Sequence, residues 1–262
     1  MTSTYSPDGS AHSGGARPGA ARVPRWSVLG AATVLALGVQ AVLALWVAPA
    51  DANQGDAQRL MYIHVPAAWL AYLAFTVTAV ASVLWLWPRT RSVKWDLVAG
   101  ASAEVGVVFT ALTLALGSLW GRPVWGTWWE WDARLTTTAV LLFLYLGYLA
   151  LRRTGDSPDE RGRRCAIAAL IAFADVPVVH FSVTWWETLH QEATVFNPKL
   201  ETNITGTMAW TLLWSVVAFT ILYVYLVRSR TQLAEMQEGL EERELANAIA
   251  ERIETGESAV TV

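Results

Sequence analysis

The sequence predicts an all-α integral membrane protein with six transmembrane helices, both termini in the cytoplasm and a tryptophan-rich loop facing outward. Three observations support this fold class: an apolar composition, six windows long enough to cross a bilayer, and a one-sided distribution of Lys and Arg. The 262-residue chain is 54% hydrophobic and only 16% charged, whereas a soluble domain carries about 25% charged residues. The composition therefore excludes an ordinary cytosolic globule and a disordered chain.

Six windows have the length that a membrane span needs. A bilayer core of about 30 Å requires roughly 20 apolar residues in a helix. The windows lie at about 26–48, 62–87, 98–119, 133–151, 164–186 and 208–227. Small residues recur within them, which favours close packing of helices in lipid. We expect a membrane domain over 26–227, between a flexible tail at 1–25 and a charged tail at 228–262.

The positive charges indicate the orientation of the chain. In the six-span arrangement only four of the 19 Lys and Arg lie on one side, and the side richer in these residues stays in the cytoplasm. The loops 49–61, 120–132 and 187–207 should therefore face outward, away from the cytoplasm. In the C-terminal tail, apolar residues recur at near-helical spacing among glutamates, which favours a solvated helix over a helix that docks on a partner subunit.

Several classes of site are excluded. The single cysteine, Cys165, leaves no internal disulfide, no C-x-x-C redox centre and no C-x-x-C-H signature for covalent attachment of haem. The chain has no G-x-x-x-x-G-K-[ST] motif for nucleotide phosphates. Its net charge of −3 argues against nucleic acid as a partner.

Tryptophan is concentrated in one predicted loop. The chain has 15 tryptophans, and the interfacial belt of a membrane protein accounts for one or two per helix end. Five of them lie in the expected outward loop over 120–136. Such a cluster offers flat apolar area for a large planar ligand. These residues are Trp120, Trp125, Trp128, Trp129 and Trp131.

Two histidines lie at the same level as this loop. His64 follows the start of the second span, and His190 follows the end of the fifth. Neutral imidazoles on two sides are the axial ligands that a tetrapyrrole iron takes. His180 lies about 15 Å deeper by helical rise, and we interpret it as structural. We expect Asp175 and Glu104, which also lie within spans, to be paired inside the bundle.

The segment from Trp125 to Thr136 reads Trp-Gly-Thr-Trp-Trp-Glu-Trp-Asp-Ala-Arg-Leu-Thr. It resembles the "WWD" signature of haem-handling proteins in cytochrome c maturation, in the form typical of the haem exporter protein C family. Residues 62–69 and 177–191 resemble the two histidine segments of that family. The related haem lyases carry W-D-P-x-E, from which Ala133 and Arg134 depart.

The resemblance implies non-covalent, b-type haem on the outer face, with His64 and His190 as axial ligands. It also implies a periplasmic haem chaperone, an ATP-binding cassette (ABC) exporter and a small single-span subunit as partners. We expect the five tryptophans to cover the porphyrin, and Asp132 to orient the loop through backbone donors or Arg134. The candidates for pairing with the haem propionates are Arg122, Arg134 and Lys199.

Four functions remain open from the sequence. The favoured one is a haem-transfer protein that performs no bond chemistry. The alternative within the same superfamily is a haem lyase, which the short chain and the Ala133-Arg134 sequence disfavour. An electron-transferring cytochrome would need paired deep histidines, and a scaffold or permease would leave the clustered tryptophans unexplained.

Overall fold

The computed structural model describes residues 28–154, 157–190, 204 and 206–254. Over these residues the regular elements are all helical, and six helical segments are long and apolar enough to cross a membrane. The predicted all-α fold with six spans is confirmed. The tail at 1–25 lies outside the described residues. The helices are α1 (Val28–Val42, extended by a π turn at Leu43–Val47), α2 (Met61–Leu86, after a 3₁₀ turn at Asp56–Leu60), α3 (Val93–Trp125), α4 (Ala133–Arg152), α5 (Pro158–Phe173), α6 (Asp175–Trp185) and α7 (Gly206–Glu254).

A proline near the start of α2 determines how α1 packs there. Pro66 has no N–H, so it cannot bond to the carbonyl of Tyr62 one turn earlier. Gln40 of α1 is buried and donates its Nε2 to that carbonyl at 3.1 Å. A buried polar residue of α1 thus satisfies a carbonyl that the proline leaves free.

The fifth span is broken into α5 and α6. The break falls at Ala174, three residues before Pro177, because proline cannot donate to the carbonyl of the preceding turn. Asp175 lies directly after the break, and its Oδ2 is buried without a hydrogen bond partner among the described residues. The expected pairing of Asp175 is therefore not observed for that atom.

Aromatic residues and small residues form the centre of the bundle. Phe75 of α2 stacks on Tyr145 of α4 with ring centroids 3.7 Å apart and an interplanar angle of 14°. A Cβ at Gly106 of α3 would lie 2.5 Å from Cε1 of Phe75. The close approach of α2 and α3 therefore depends on a residue without a side chain.

An ion cluster ties four helices together at the end of the bundle where α3 begins. Asp96 of α3 accepts hydrogen bonds from both terminal nitrogens of Arg152 of α4, at 2.7 and 2.9 Å. Arg161 of α5 lies 3.4 Å from Asp96 and 2.8 Å from Glu238 of α7. Asp96 is buried, and its negative charge is compensated there by the two arginines.

The last span differs from the expectation of a separate tail after residue 227. α7 continues without a break to Glu254, so the part of the tail that the structure describes is helical, as its apolar spacing indicates. Arg230 of α7 forms an ion pair with Glu104 of α3, with Nε 2.7 Å from Oε2. Glu104 is therefore paired, but on the exposed side of α3 and α7 rather than inside the bundle as predicted. The tail's apolar side chains are exposed in the described structure: Leu233, Met236, Leu240, Leu245, Ile249 and Ile253.

Candidate functional site

A cavity of about 270 Å³ lies at the other end of the bundle, which we call the histidine end. Successive spans run in opposite directions, so this end collects the start of α2, the end of α3, the start of α4 and the end of α6. Its lining includes the two predicted histidine ligands and a third histidine. The chemically distinctive lining residues are His64, Trp120, Trp125, Arg134, His180 and His190.

His64 is held between an aromatic edge and a glycine. Its ring meets Trp120 in a T-shaped contact with centroids 5.7 Å apart. A Cβ at Gly117 would lie 3.2 Å from Cε1 of His64, so the imidazole occupies space that a larger residue would restrict. Nδ1 of His64 is buried without a hydrogen bond partner among the described residues. A polar atom in that state fits a site whose ligand is added from outside the chain.

His190 is supported by hydrogen bonds instead. Its Nδ1 lies 2.8 Å from Oδ2 of Asp132, and Oγ1 of Thr188 donates to the same oxygen at 2.5 Å. The His190 ring also meets Trp125 in a T-shaped contact at 4.8 Å. Asp132 accepts a hydrogen bond from the backbone N–H of Leu135 at 2.8 Å, as predicted from the sequence, and its contact with His190 is an additional one that the sequence did not predict.

The pKa shifts of this pair point to a neutral imidazole beside an ionised carboxylate. Burial opposes the charge of Asp132, but hydrogen bonds from Leu135, Thr188 and His190 outweigh it and lower the pKa of the carboxyl group below its ordinary value. Burial lowers the pKa of His190, with Arg134 acting in the same direction, against the opposing effect of Asp132. A neutral imidazole is the form that binds metals.

Arg134 and His180 adjoin each other in the cavity. Nη2 of Arg134 donates to the backbone carbonyl of His180 at 3.2 Å, and its Nε is buried without a partner among the described residues. The His180 ring meets Tyr72 edge to face at 6.2 Å. His180 was interpreted as structural from its depth in the span, yet it lines the same cavity as His64 and His190.

The five tryptophans do not share one loop, which corrects the expectation for residues 120–136. α3 continues through Trp125 and ends at Gly126, whose φ of 80° suits glycine. Trp120 and Trp125 thus project from a helix into the cavity lining. The remaining three lie in the short connection to α4 and outside the lining: Trp128, Trp129 and Trp131.

The connection to α4 presents aromatic surface outside the cavity. Trp128 and Trp131 are 58% and 78% exposed, and Trp131 meets Trp129 edge to face at 5.4 Å. The cluster is therefore divided between the cavity lining and an exposed segment.

The candidates for propionate pairing also divide. Arg134 lines the cavity, whereas Arg122 is exposed and donates to the carbonyl of Gly126 at 2.6 Å. Lys199 lies outside the described residues. Thr188 and Gly117 were not predicted from the sequence. The position of Thr188 two residues before His190 was the available signal for the first, and no local signal identified the second.

Six apolar spans, with a cavity lined by histidine and tryptophan at one end, define a multi-pass membrane protein. Comparison with known proteins gives the family. The family model described as Heme exporter protein C matches residues 16–246, and the chain belongs to that family.

Individual relatives agree with the family match. Heme exporter protein C of Bradyrhizobium diazoefficiens is 42% identical over 210 residues, which cover 79% of this chain and 76% of the relative. Its counterpart in Escherichia coli is 40% identical over 203 residues, covering 77% and 80%. A ccmC-like mitochondrial cytochrome c biosynthesis protein of Marchantia polymorpha is 43% identical over 153 residues, covering 58% and 64%.

Proposed function

We propose that this protein binds b-type haem without a covalent bond at the histidine end and transfers it to a periplasmic haem chaperone for cytochrome c maturation. The observation that carries the proposal is the joint presence of His64 and His190 in the lining of one cavity, each packed against a tryptophan of α3. Two imidazoles are suitable axial ligands for haem iron. When bound, haem supplies the iron that these imidazoles coordinate.

The residues of the cavity fit haem in charge as well as in ligand type. Arg134 brings a guanidinium group whose Nε is unpaired among the described residues, and a guanidinium group is well suited to bind a carboxylate such as a haem propionate. We assign Arg134 as the main propionate partner, because Arg122 bonds to its own helix end. Trp120 and Trp125 supply aromatic area for the porphyrin.

The size of the cavity indicates partial burial of a porphyrin. Ligand pockets commonly measure about 300–1,000 Å³, and this one measures about 270 Å³. It would cover part of a porphyrin and leave an edge at the opening. The exposed rings of Trp128 and Trp131 lie in the connection beside the site, where they would meet that edge or the chaperone.

The direction of transfer follows from the distribution of charge. Lys and Arg predominate at the end of the bundle where α3 begins, which supports a cytoplasmic position for that end and a periplasmic position for the histidine end in the bacterial inner membrane. The name of the family supports an ABC-type haem exporter complex as the setting. A small single-span subunit completes the proposed assembly.

We propose further that the protein performs no bond chemistry. Thioether formation, the reaction of the related haem lyases, joins haem to cysteine thiols of an apocytochrome. Ala133 stands where the lyases carry the proline of W-D-P-x-E. Holding haem by coordination alone keeps it removable by the next protein.

The first test is the absorption spectrum of the protein purified from haem-replete cells. We expect a six-coordinate, low-spin spectrum that His64→Ala and His190→Ala each abolish. His180→Ala is the matched variant from the same cavity, and it should keep that spectrum. A wild-type protein without haem would refute the proposal, and persistence of the low-spin spectrum in either of the first two variants would refute the ligand assignment.

The second test separates transfer from lyase activity. The haem-loaded protein is mixed with the purified chaperone alone, and then with an apocytochrome alone. We expect haem to move to the chaperone in the first mixture and no thioether product in the second. Thioether product formed by this chain unaided would contradict the transfer function and favour the lyase.

A further inference from the structure

One buried carboxylate joins two segments of the chain at the histidine end. Asp132 is 9% exposed, and its Oδ1 accepts a hydrogen bond from the backbone N–H of Leu135 at 2.8 Å, which caps α4. Its Oδ2 lies 2.8 Å from Nδ1 of His190 and accepts from Thr188 at 2.5 Å. The residue that starts α4 therefore also holds the segment that follows α6.

Helix capping explains only half of this arrangement. A cap needs one side-chain oxygen, as in Ser157, whose hydroxyl accepts from the N–H of Glu160 to cap α5. Asp132 directs its second oxygen to Thr188 and His190. Thr188 in turn accepts from the backbone N–H of His190 at 3.1 Å. Both the ring and the backbone of His190 are thus fixed in place.

The position of one proton decides which nitrogen of His190 can bind a metal. A carboxylate oxygen has no hydrogen to donate, so Nδ1 of His190 carries the proton and donates it to Asp132. Nε2 then keeps its lone pair. A carboxylate in this position at a metal site fixes the tautomer and ring orientation and raises the basicity of the ligand. His64 differs, because its hydrogen bond is with the backbone of Thr113 rather than with a carboxylate, and its Nδ1 has no partner among the described residues.

We propose that Asp132 is a positioning residue for haem: it selects the His190 tautomer whose Nε2 coordinates the iron, and makes His190 the stronger of the two axial ligands. This inference rests on the proposed function, because it assumes that haem binds at the histidine end. It assigns Asp132 a role through His190 rather than a contact with haem.

Two substitutions separate positioning from capping. Asp132→Asn replaces one of the two oxygens that face Leu135 and His190 by an NH₂ group. When the remaining oxygen caps α4, the NH₂ group faces His190 and favours the opposite tautomer. Asp132→Ser keeps a good cap and removes the contact with His190. We expect both variants to shift bound ferric haem from low spin towards high spin, and to release it to a haem-scavenging apoglobin about 10- to 100-fold faster.

Control variants locate the cause of any change. Ser157→Ala removes the cap of α5 and should leave the spectrum and release rate unchanged. Thr188→Val leaves the carboxylate facing Nδ1 and should have a smaller effect than either Asp132 variant. Thermal melting of each protein without haem verifies folding. If Asp132→Asn fails to fold, Asp132→Ser, which retains a cap, still tests the proposal.

The outcomes distinguish failure of the positioning role from failure of the proposed function on which it rests. Absence of haem from the wild-type protein would overturn the proposed function. The positioning role alone would be overturned by a different result. In that case the wild type holds low-spin haem and His190→Ala loses it, but both Asp132 variants keep the wild-type spectrum and release rate. A shift in both Asp132 variants without a shift in Ser157→Ala supports it.

Discussion

Replacing Asp96 by Asn should destabilise the bundle strongly, because it leaves a buried arginine without its counter-charge. Asp96 and Arg152 have side-chain exposures of only 7% and 15%, and both oxygens of Asp96 accept from Arg152. Breaking a buried pair by removing one partner costs about 3–5 kcal/mol. The hydroxyl of Tyr148, 3.2 Å from Nη1 of Arg152, and the amide oxygen of the new side chain leave the arginine two neutral acceptors, so we expect the lower end of that range, about 3 kcal/mol.

The assay is unfolding by denaturant in detergent micelles, followed by tryptophan fluorescence. Asp56→Asn is the matched control, because Asp56 pairs with Arg59 at 2.8 Å but is 79% exposed; such surface pairs contribute about 0–1 kcal/mol. Adding Arg152→Met to Asp96→Asn should recover part of the loss, because it removes the unpaired charge. Equal effects of Asp96→Asn and Asp56→Asn would refute the reasoning.

Two further substitutions test the packing of the helices by the same assay. Gly106→Ala places a methyl group 2.5 Å from Phe75, and the overpacking cost of about 1–3 kcal/mol should exceed the gain in helix propensity. Gly147→Ala, with no atom within 4 Å, should stabilise the protein by up to about 1 kcal/mol. A more stable Gly106→Ala than Gly147→Ala would contradict the packing argument. Gln40→Leu removes the donor to the Tyr62 carbonyl and should lower the free energy of unfolding by about 1 kcal/mol. The loss should be smaller in a Pro66→Ala background, because the restored N–H supplies a donor to that carbonyl. An identical loss in both backgrounds would show that Gln40 does not act through this hydrogen bond.

The number of spans and the segments of the site were predictable from the sequence for a local reason. A run of about 20 apolar residues must form a helix in lipid, since no water is present to satisfy its backbone. The order of the spans then places the start of the second, the end of the third and the end of the fifth at one end of the bundle. His64, Trp120 and His190 could be assigned to one site on that basis alone.

Helix ends were less predictable than spans. The tryptophans after residue 119 were expected in a loop because aromatic and polar residues replace the apolar run there. α3 nevertheless continues to Trp125 and ends where Gly126 adopts a positive φ. The Trp120 ring packs on His64 and its Nε1 donates to Gln54 at 2.9 Å, so tertiary contacts hold these turns in helical form.

The sequence by itself determined the class of protein, its six spans and the pair of histidines, because apolar length and residue type are properties of short segments. Only the tertiary structure decided that Asp132 supports His190, that His180 joins the cavity and that Asp96 pairs with Arg152. These contacts join residues on different helices. Their existence depends on the rotation and close approach of packed helices, which no spacing along one segment specifies.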